Sequence, residues 1–264
     1  MITLLRGTWR FRSFIAASVK REFASRYLGT QLGAAWPIIH PLALIAIYTV
    51  VFSQLMRPQL PGHDSRFAYS IYLTAGFVIW SLFSELLGRS VGIFVHNAEL
   101  LKKANVHKLS LPIVASISTF INSGILLACF LAFLLVSGNL PGWPLLALPP
   151  LLALAAFFAM GLGLFLATIN VFYRDVEQSA TVILQFWFWL TPIVYAENAL
   201  PEFAREILAW NPMWPITRAA QAVFLENRFP DWASLAYPLA LSVALAVLAR
   251  FAFERLASEL VDEL

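Results

Sequence analysis

Charged residues divide the chain into long apolar intervals. No Asp, Glu, Lys or Arg occurs at 27–56, 67–84, 109–173, 178–196 or 232–249. A membrane-spanning helix needs about 20 apolar residues, so the longest interval has room for two spans. The stretch SGNLPG at 137–142 breaks that interval near its middle. The pattern predicts six spans, at 34–56, 68–92, 109–136, 145–170, 178–196 and 232–252.

These spans predict an all-α integral membrane protein with a single transmembrane domain over residues 1–264. Its expected parts are a cytoplasmic amphipathic helix (1–33), spans one to five (34–196), an outer segment (197–231), span six (232–252) and a cytoplasmic tail (253–264). Most of the 18 Lys and Arg residues fall on the cytoplasmic side if the N-terminus lies there, as the positive-inside rule requires. An even number of spans then places both termini in the cytoplasm.

The N-terminal segment has an amphipathic pattern. Phe11, Ile15, Val19, Phe23 and Tyr27 recur every four residues, and basic side chains occupy other faces of the same helix. Such a helix suits the anionic cytoplasmic interface of a membrane. A helix that packs on a partner protein shows the same pattern, so both interpretations stay open.

The segment 197–231 is too apolar for a free loop and too charged for a conventional span. It contains Trp210 and Trp214 together with Glu202 and Arg218. We expect short re-entrant helices that dip into the outer leaflet, because irregular backbone survives at membrane depth only where protein or a cavity surrounds it. An amphipathic helix lying on the outer surface is the alternative.

Composition also indicates a membrane as the solvent. Of the 264 residues, 60% are hydrophobic and 12% are charged, whereas soluble domains carry about 25% charged residues. The net charge of +3 is modest, and the aromatic residues lie in apolar runs rather than between basic residues. This distribution argues against a nucleic-acid partner.

The sequence pattern offers no catalytic constellation. The four histidines are far apart, and no glycine precedes a lysine as it does in a phosphate-binding loop. We therefore expect no catalytic residue, no metal site and no cofactor bound by this chain. Glu85 and Arg89 lie four residues apart in span two, so they share a helix face and can pair; a structural ion pair and a role in the transport path both stay open. The other spans contain no deeply placed acid, so the energy source is expected to lie elsewhere.

Span five carries aromatic residues near the middle of the membrane, where residues 185–189 read QFWFW. Apolar sugar faces pack on aromatic rings, so this stretch indicates a path for sugars, with bulky packing as the alternative. The expected path residues are Tyr48, Trp80, Phe83, Phe165, Phe186, Trp187 and Trp189. Replacing Trp187 and Trp189 by alanine is expected to impair passage of a polymer and to leave assembly intact.

Small residues four positions apart allow helices to approach closely. Such pairs occur at Gly88 and Gly92 and at Ala159 and Gly163. They predict tight contacts within or between subunits.

Three short motifs occur in a fixed order along the chain. Residues 26–37 read RYLGTQLGAAWP and are followed by Pro41, residues 170–175 read NVFYRD, and Asn211-Pro212 is followed by Arg218. Together they resemble the motifs of the ABC-2 type permeases, in the branch that exports O-antigen, capsule and teichoic-acid polymers. The match covers nearly the whole chain.

The resemblance implies the permease of an ATP-binding cassette exporter. The permease would form a homodimeric pore and work with two copies of a separate ATPase subunit, on which ATP and Mg would bind. A cytoplasmic helix at 97–108 would dock on the ATPase, and the residues expected to couple to it are Asn97, Glu99, Leu100, Lys102, Lys103, Arg174 and Asp175. The outer segment would be an outer gate with the residues Trp210, Asn211, Pro212, Trp214 and Arg218.

The implied substrate is a lipid-linked polysaccharide of the O-antigen type, carried from the cytoplasm across a bacterial inner membrane. Cations near the cytoplasmic interface would bind its head group, and the candidates are Arg10, Lys20, Arg21, Arg26 and Arg89. Positive-inside anchoring explains the same residues. An exporter of a drug or small lipid is the alternative within transport, and a membrane-embedded glycosyl- or acyltransferase would need a reactive constellation that the pattern lacks.

Overall fold

The computed structural model describes residues 12–27, 32–51, 66–99, 110–197 and 200–256. These residues form helices and the links between them, with no strand among them. The helices are α1 (Arg12–Tyr27), α2 (Trp36–Thr49), α3 (Ala68–Val91), α4 (Ile93–His96), α5 (Ser110–Val136), α6 (Leu148–Phe172), α7 (Asp175–Leu190), α8 (Glu202–Ala209), α9 (Met213–Phe224) and α10 (Ala236–Leu256). Short 3-10 helices, Gly33–Ala35 and Trp143–Ala147, precede α2 and α6. The prediction of an all-helical protein is confirmed for the described residues.

Four helical segments in the described part of the chain are long and apolar enough to cross a membrane: Ala68–Val91, Ser110–Val136, Trp143–Phe172 and Ala236–Arg255. They coincide with predicted spans two, three, four and six to within a few residues. The helices at predicted spans one and five are shorter. α2 has 14 residues and α7 has 16 residues, against the about 20 residues of a standard span.

Helix α7 begins and ends earlier than the predicted fifth span at 178–196. It begins at Asp175, and the acidic side chains of its first turn interact favourably with the positive end of the helix dipole. It ends at Leu190, because Pro192 has no backbone N–H and restricts the residue before it to extended conformations. Thr191 accordingly has a ψ of 130°. The chain then continues as an irregular link.

Helix α3 lies at the centre of the bundle, where it contacts α5, α6, α7 and α9. In the most apolar 18-residue stretch of α3, 72% of the stretch is buried inside the protein, against 28% for the same kind of stretch in α5 and 17% in α10. α3 is also the least apolar of the long helices, with a mean hydropathy of 1.5 against 2.3 for α5. Polar side chains in a membrane face protein rather than lipid. The more polar helix therefore occupies the centre and the more apolar helices surround it.

Small residues bring α6 close to both α3 and α10. A Cβ placed on Gly163 would lie 2.5 Å from the Cβ of Ser90 in α3, and one placed on Gly161 would lie 3.2 Å from the backbone N of Ala246 in α10. The predicted close contact at Gly163 is confirmed. At Gly88 a Cβ would meet no described atom within 4 Å, so the contact predicted there is not made within the described part of this chain.

Replacing Gly163 by alanine is expected to lower the thermal unfolding temperature of the purified protein. The new methyl group would overlap Ser90, so α3 and α6 would have to separate, and overpacking of this kind costs about 1–3 kcal/mol. Gly88→Ala is the matched control, because the same methyl group enters open space and alanine favours the helix. Equal melting temperatures for the two variants would contradict the prediction.

Helix α1 packs against α5. Ile15 and Val19, two members of its four-residue repeat, are buried, whereas Lys20 and Arg21 are exposed. Glu22 Oε2 accepts a hydrogen bond of 2.8 Å from Ser118 Oγ in α5. The apolar side of α1 therefore packs on this chain itself, and its basic side chains point outward.

The bundle has two ends with different contents. At one end α4 packs on α6, and the rings of Phe94 and Phe253 are 5.6 Å apart; this end also holds α1 and is called the α1 end. The opposite end, called the α9 end, holds α8 and α9, and there the Gly142 N–H donates to Asn227 Oδ1 at 2.8 Å. α9 is largely buried, whereas α8 buries only Leu208.

Candidate transport path and gate

Trp187 belongs to a cluster of four aromatic rings between α3, α6 and α7, called the Trp187 cluster. Its ring centroid lies 5.2 Å from that of Phe83, 6.1 Å from that of Phe158 and 6.4 Å from that of Trp80. Trp80 is 5% exposed and Phe83 is fully buried. In this conformation these two predicted path residues support Trp187 and offer a sugar almost no open surface.

Asn211 connects Trp187 to the α9 end. The Trp187 indole N–H donates to Asn211 Oδ1 at 2.8 Å, and the Met213 backbone N–H donates to the same oxygen at 3.0 Å. The Asn211 amide donates to Thr191 Oγ1 at 2.9 Å and to the Leu190 carbonyl at 3.2 Å. One side chain therefore joins the end of α7, the link that follows it and the start of α9.

The link between α7 and α8, residues 191–197, has irregular backbone whose carbonyls are bonded by side chains. The Tyr72 hydroxyl lies 3.1 Å from the carbonyl oxygens of both Pro192 and Tyr195. Gln221 Nε2 of α9 donates to the Pro192 carbonyl at 3.0 Å. A buried carbonyl without a donor is costly, so α3 and α9 stabilise a link that could not otherwise be buried. Sequence reasoning missed these donors, although tyrosine and glutamine in apolar helices were a visible signal.

Two other aromatic side chains of α7 are exposed. Phe186 is 68% exposed and Trp189 is 62% exposed, whereas Trp187 between them turns toward α3. Phe186 and Trp189 are called the α7 aromatic pair. Their faces are open to lipid, to a second subunit or to a substrate.

The remaining predicted path residues lie apart from the Trp187 cluster. Tyr48 of α2 is half-buried, and its ring centroid lies 5.9 Å from that of Phe77. Phe165 of α6 is also half-buried. The stacking role of all seven aromatic residues stays a prediction.

The predicted gate residues surround the start and the middle of α9. Pro212 is buried just before the helix, Trp214 is half-buried, and Trp210 is 78% exposed. Arg218 Nη1 lies 2.7 Å from Glu226 Oε1, so an ion pair ties α9 to the turn that follows it. With Asn211 at the start of the helix, these contacts hold α9 at both ends. The gating role stays a prediction.

Arg89 lies between two carboxylates at the α1 end. Its Nη1 is 3.2 Å from Glu85 Oε1, which confirms the predicted pair, and its Nη2 bonds to Glu22 of α1. Asn122 Nδ2 of α5 donates to Glu85 Oε1 at 2.6 Å. The network joins α1, α3 and α5, and its carboxylates compensate the charge of Arg89. Sequence reasoning missed Glu22 and Asn122, which lie far from Arg89 in the chain.

The other predicted head-group cations belong to the N-terminal segment. Lys20 and Arg21 are exposed, and Arg21 Nη2 donates to Ser18 Oγ at 3.3 Å. Arg10 and the side chain of Arg26 lie outside the described residues. Binding of a lipid head group by these cations and by Arg89 stays a prediction.

A polar joint connects α3, α4, α6 and α7 at the α1 end. His96 Nε2 of α4 lies 3.3 Å from Glu177 Oε1 of α7. Asn170 Nδ2 donates to the Val91 carbonyl at 3.3 Å, and Asn170 Oδ1 accepts from the Glu177 N–H at 3.0 Å. Sequence reasoning did not assign a site role to these side chains, although Asn170 begins the NVFYRD motif.

The predicted coupling residues border this joint. Arg174 and Asp175 are exposed on the turn into α7, and Glu99 is exposed beyond α4. Asn97 Nδ2 donates to the Ile93 carbonyl at 2.8 Å and so caps the end of α4. Their coupling role stays a prediction, as does that of three residues outside the described part of the chain, Leu100, Lys102 and Lys103.

The architecture defines a class of protein. Four described helices long and apolar enough to cross a membrane, joined by polar contacts at both ends of the bundle, are the features of a multi-pass membrane protein. The described residues contain no group of three or more His, Cys, Asp and Glu side chains placed to hold a metal ion.

The chain belongs to the ABC-2 type transporter family, whose profile matches residues 14–225. It is 29% identical over 266 residues to the O-antigen export system permease protein RfbA of Myxococcus xanthus, and the match covers 100% of both chains. It is 27% identical over 212 residues to the O-antigen export system permease protein RfbA of Klebsiella pneumoniae, covering 78% of each chain. The resemblance noted in the three motifs is confirmed. The protein is a transport permease subunit rather than an enzyme, and ATP is hydrolysed by a partner subunit.

Proposed function

We propose that this chain is the channel-forming subunit of an exporter that moves lipid-linked polysaccharide of the O-antigen type. The polymer would pass from the cytoplasm across the bacterial inner membrane during lipopolysaccharide biosynthesis. The full-length similarity to a protein named as an O-antigen export permease supports this substrate. The observation that carries the proposal is the α7 aromatic pair, whose exposed rings lie beside a fixed Trp187. Rings of this kind suit the apolar faces of sugars.

The path would form between two copies of the chain. A single bundle has its centre filled by α3, and the α7 aromatic pair lies on its outside. A path lined by these rings therefore needs a second subunit opposite them. The assembly we propose is a homodimer with two copies of the ATPase, which would bind ATP and Mg, and with the α1 end as the docking side.

The proposed topology has six spans, with α2 and α7 as the first and fifth. Their 14 and 16 residues correspond to about 21 and 24 Å at about 1.5 Å per residue, short of the about 30 Å hydrocarbon core. The 191–197 link and the buried α9 would complete the outer half of the fifth crossing as a re-entrant gate. Side-chain bonds to the link carbonyls, such as that from Gln221, suit this depth.

Positive charge supports an orientation with the α1 end and both termini in the cytoplasm. Lys20, Arg21, Arg89, Arg174 and Arg250 all lie toward the α1 end. Cytoplasmic enrichment of Lys and Arg is the rule in such proteins. The exposed pair Lys20 and Arg21 would meet the lipid phosphate, because Arg89 is already paired with Glu22 and Glu85.

Deleting the gene in cells that depend on it for surface polysaccharide tests the substrate. We expect lipid-linked glycan to accumulate on the cytoplasmic side and surface glycan to disappear. The wild-type gene should reverse both changes. Normal surface glycan with altered drug tolerance would favour a drug or small-lipid exporter instead. Failure to synthesise the glycan at all would favour a transferase.

A further inference from the structure

The exposed apolar side chains of helix α8 lie together on one side of the helix. Phe203, Ile207 and Trp210 project within about 60° of one another on a helix of about 3.6 residues per turn. Trp210 directly follows the last residue of α8 and keeps helical backbone angles, with φ −84° and ψ −10°. The three side chains are 67%, 62% and 78% exposed. They are called the apolar arc.

The charged side chains of α8 occupy a second direction. Glu202, Arg205 and Glu206 are exposed and lie about a third of a turn from the apolar arc; they are called the charged arc. Leu208, the one side chain of α8 that the described residues bury, lies in the remaining third of the turn. The helix therefore has protein on one side, charge on another and apolar side chains on the third. A helix that lies at the boundary of water and hydrocarbon has this arrangement.

The end of α8 lies level with the end of an apolar span. The Tyr237 hydroxyl donates to the Trp210 carbonyl at 3.0 Å, and Tyr237 is the second residue of α10, which is long and apolar enough to cross a membrane. Just before α10, Arg228 and Asp231 are exposed, and such charges lie outside the hydrocarbon. Trp232 is 51% exposed beside them, and tryptophan is enriched where membrane meets water. This end of α8 therefore lies at the membrane surface.

The size of the apolar arc favours lipid over a second copy of the chain. Fully covered, its side chains would bury about 450 Å², whereas a standard protein interface buries about 800 Å² from each partner. Lipid needs no matching surface, and it covers the apolar arc while the charged arc stays in water. Because the described residues bury only Leu208 of α8, contact with lipid would also supply much of what holds the helix in place.

We propose that α8 is an interfacial anchor, which binds the surface of the lipid bilayer by inserting the apolar arc below the head groups. The helix leads directly into Asn211, which joins α7 to α9. The anchor therefore fixes the height of the α9 end relative to the membrane surface. α8 takes a surface position, whereas the 191–197 link and α9 take the re-entrant position. Lipid binding by α8 goes beyond the proposed transport function and does not depend on the molecule that is exported.

Fluorescent labels on the two arcs test the anchor. Cys129, the single cysteine of the chain, is replaced by alanine, and Ile207→Cys or Glu206→Cys is added. Each variant is labelled with nitrobenzoxadiazole, combined with the ATPase partner and placed in phosphatidylcholine nanodiscs. Doxyl groups on the lipid acyl chains quench labels in the membrane, and iodide quenches labels in water. We expect the label at 207 to be quenched severalfold more by doxyl lipid, and severalfold less by iodide, than the label at 206.

Two results would overturn the anchor. Equal quenching of both labels, by lipid or by iodide, would place the whole helix on one side of the boundary. A label at 207 shielded from both quenchers would place protein, such as a second copy of the chain, over the apolar arc. A second pair of variants, Phe203→Cys and Glu202→Cys, should show the same contrast, so the misfolding of one variant leaves the outcome decidable.

An aspartate in the apolar arc should release the anchor. Ile207→Asp would place a charge in hydrocarbon, so a label introduced through Phe203→Cys is expected to gain iodide quenching severalfold. Ala209→Asp is the matched control, because Ala209 is exposed on the side of the charged arc, and it should leave the quenching unchanged. Unchanged quenching in the Ile207→Asp variant would contradict insertion of the apolar arc.

Discussion

Replacing Asn211 by leucine is expected to abolish export and to lower the melting temperature of the complex sharply. Asn211 makes hydrogen bonds to Trp187, Thr191, Leu190 and Met213. Leucine has about the same size but makes none of them, so the Trp187 and Met213 N–H groups would lose their acceptor. Each buried group left unpaired costs about 1–3 kcal/mol. The summed loss is a large part of the stability of a typical domain, about 5–15 kcal/mol.

The control for this prediction is Asn211→Asp. The aspartate keeps the oxygen that accepts from Trp187 and Met213 but loses the amide that donates to Thr191 and Leu190. An intermediate melting temperature and partial export are therefore expected. Melting curves and surface-glycan assays on the three proteins check this order. A leucine variant with wild-type values for both would show that Asn211 does not hold the gate.

Alanine substitutions at Trp187 and at Trp189 are both expected to impair export, the first by destabilising the helix bundle and the second by removing an aromatic face from the path. Trp187 is half-buried and packs against Trp80, Phe83 and Phe158, so its removal costs part of the about 3–5 kcal/mol that loss of a fully buried tryptophan costs. The sequence-based expectation that assembly survives both changes is therefore revised for Trp187. Trp189 is 62% exposed, and its loss should change stability by about 0.5 kcal/mol or less.

Measuring export in a variant of unchanged stability tests the role of the α7 aromatic pair in the path separately from any effect on folding. The double variant Phe186→Ala and Trp189→Ala should melt like the wild type and assemble with the ATPase, yet reduce surface glycan at least severalfold. Trp189→Phe retains an aromatic face and should retain most export. Normal export by the double variant would remove the α7 aromatic pair from the path and leave lipid contact as its role.

The long helices could be predicted from the sequence because charged residues border them. Residues 68–92 and 109–136 were predicted as spans, and the structure has helices at Ala68–Val91 and Ser110–Val136. Charge is too costly to place at the membrane centre, so its positions mark helix ends. The early end of α7 was missed, although Pro192 offered the signal for it.

The site was less predictable because a membrane span is apolar all round, so its sequence does not show which side of the helix packs on protein and which faces lipid. The string QFWFW indicated aromatics in span five, but nothing in it distinguished the half-buried Trp187, which packs in the bundle, from the exposed Trp189, since lipid and protein interior are equally apolar. The Glu22–Arg89 contact was invisible for another reason. It joins residues far apart in sequence, and a single sequence does not pair distant charges.

Reconstitution of the purified permease with its ATPase partner tests the central claim most directly. A lipid-linked glycan is placed on the outside of proteoliposomes, where the nucleotide sites of correctly oriented complexes also lie. Its movement inward is measured as protection from an added glycosidase. We predict protection that requires this chain, the partner and hydrolysable ATP together. Protection without the partner, or an active ATPase that leaves the glycan wholly accessible, would contradict the account.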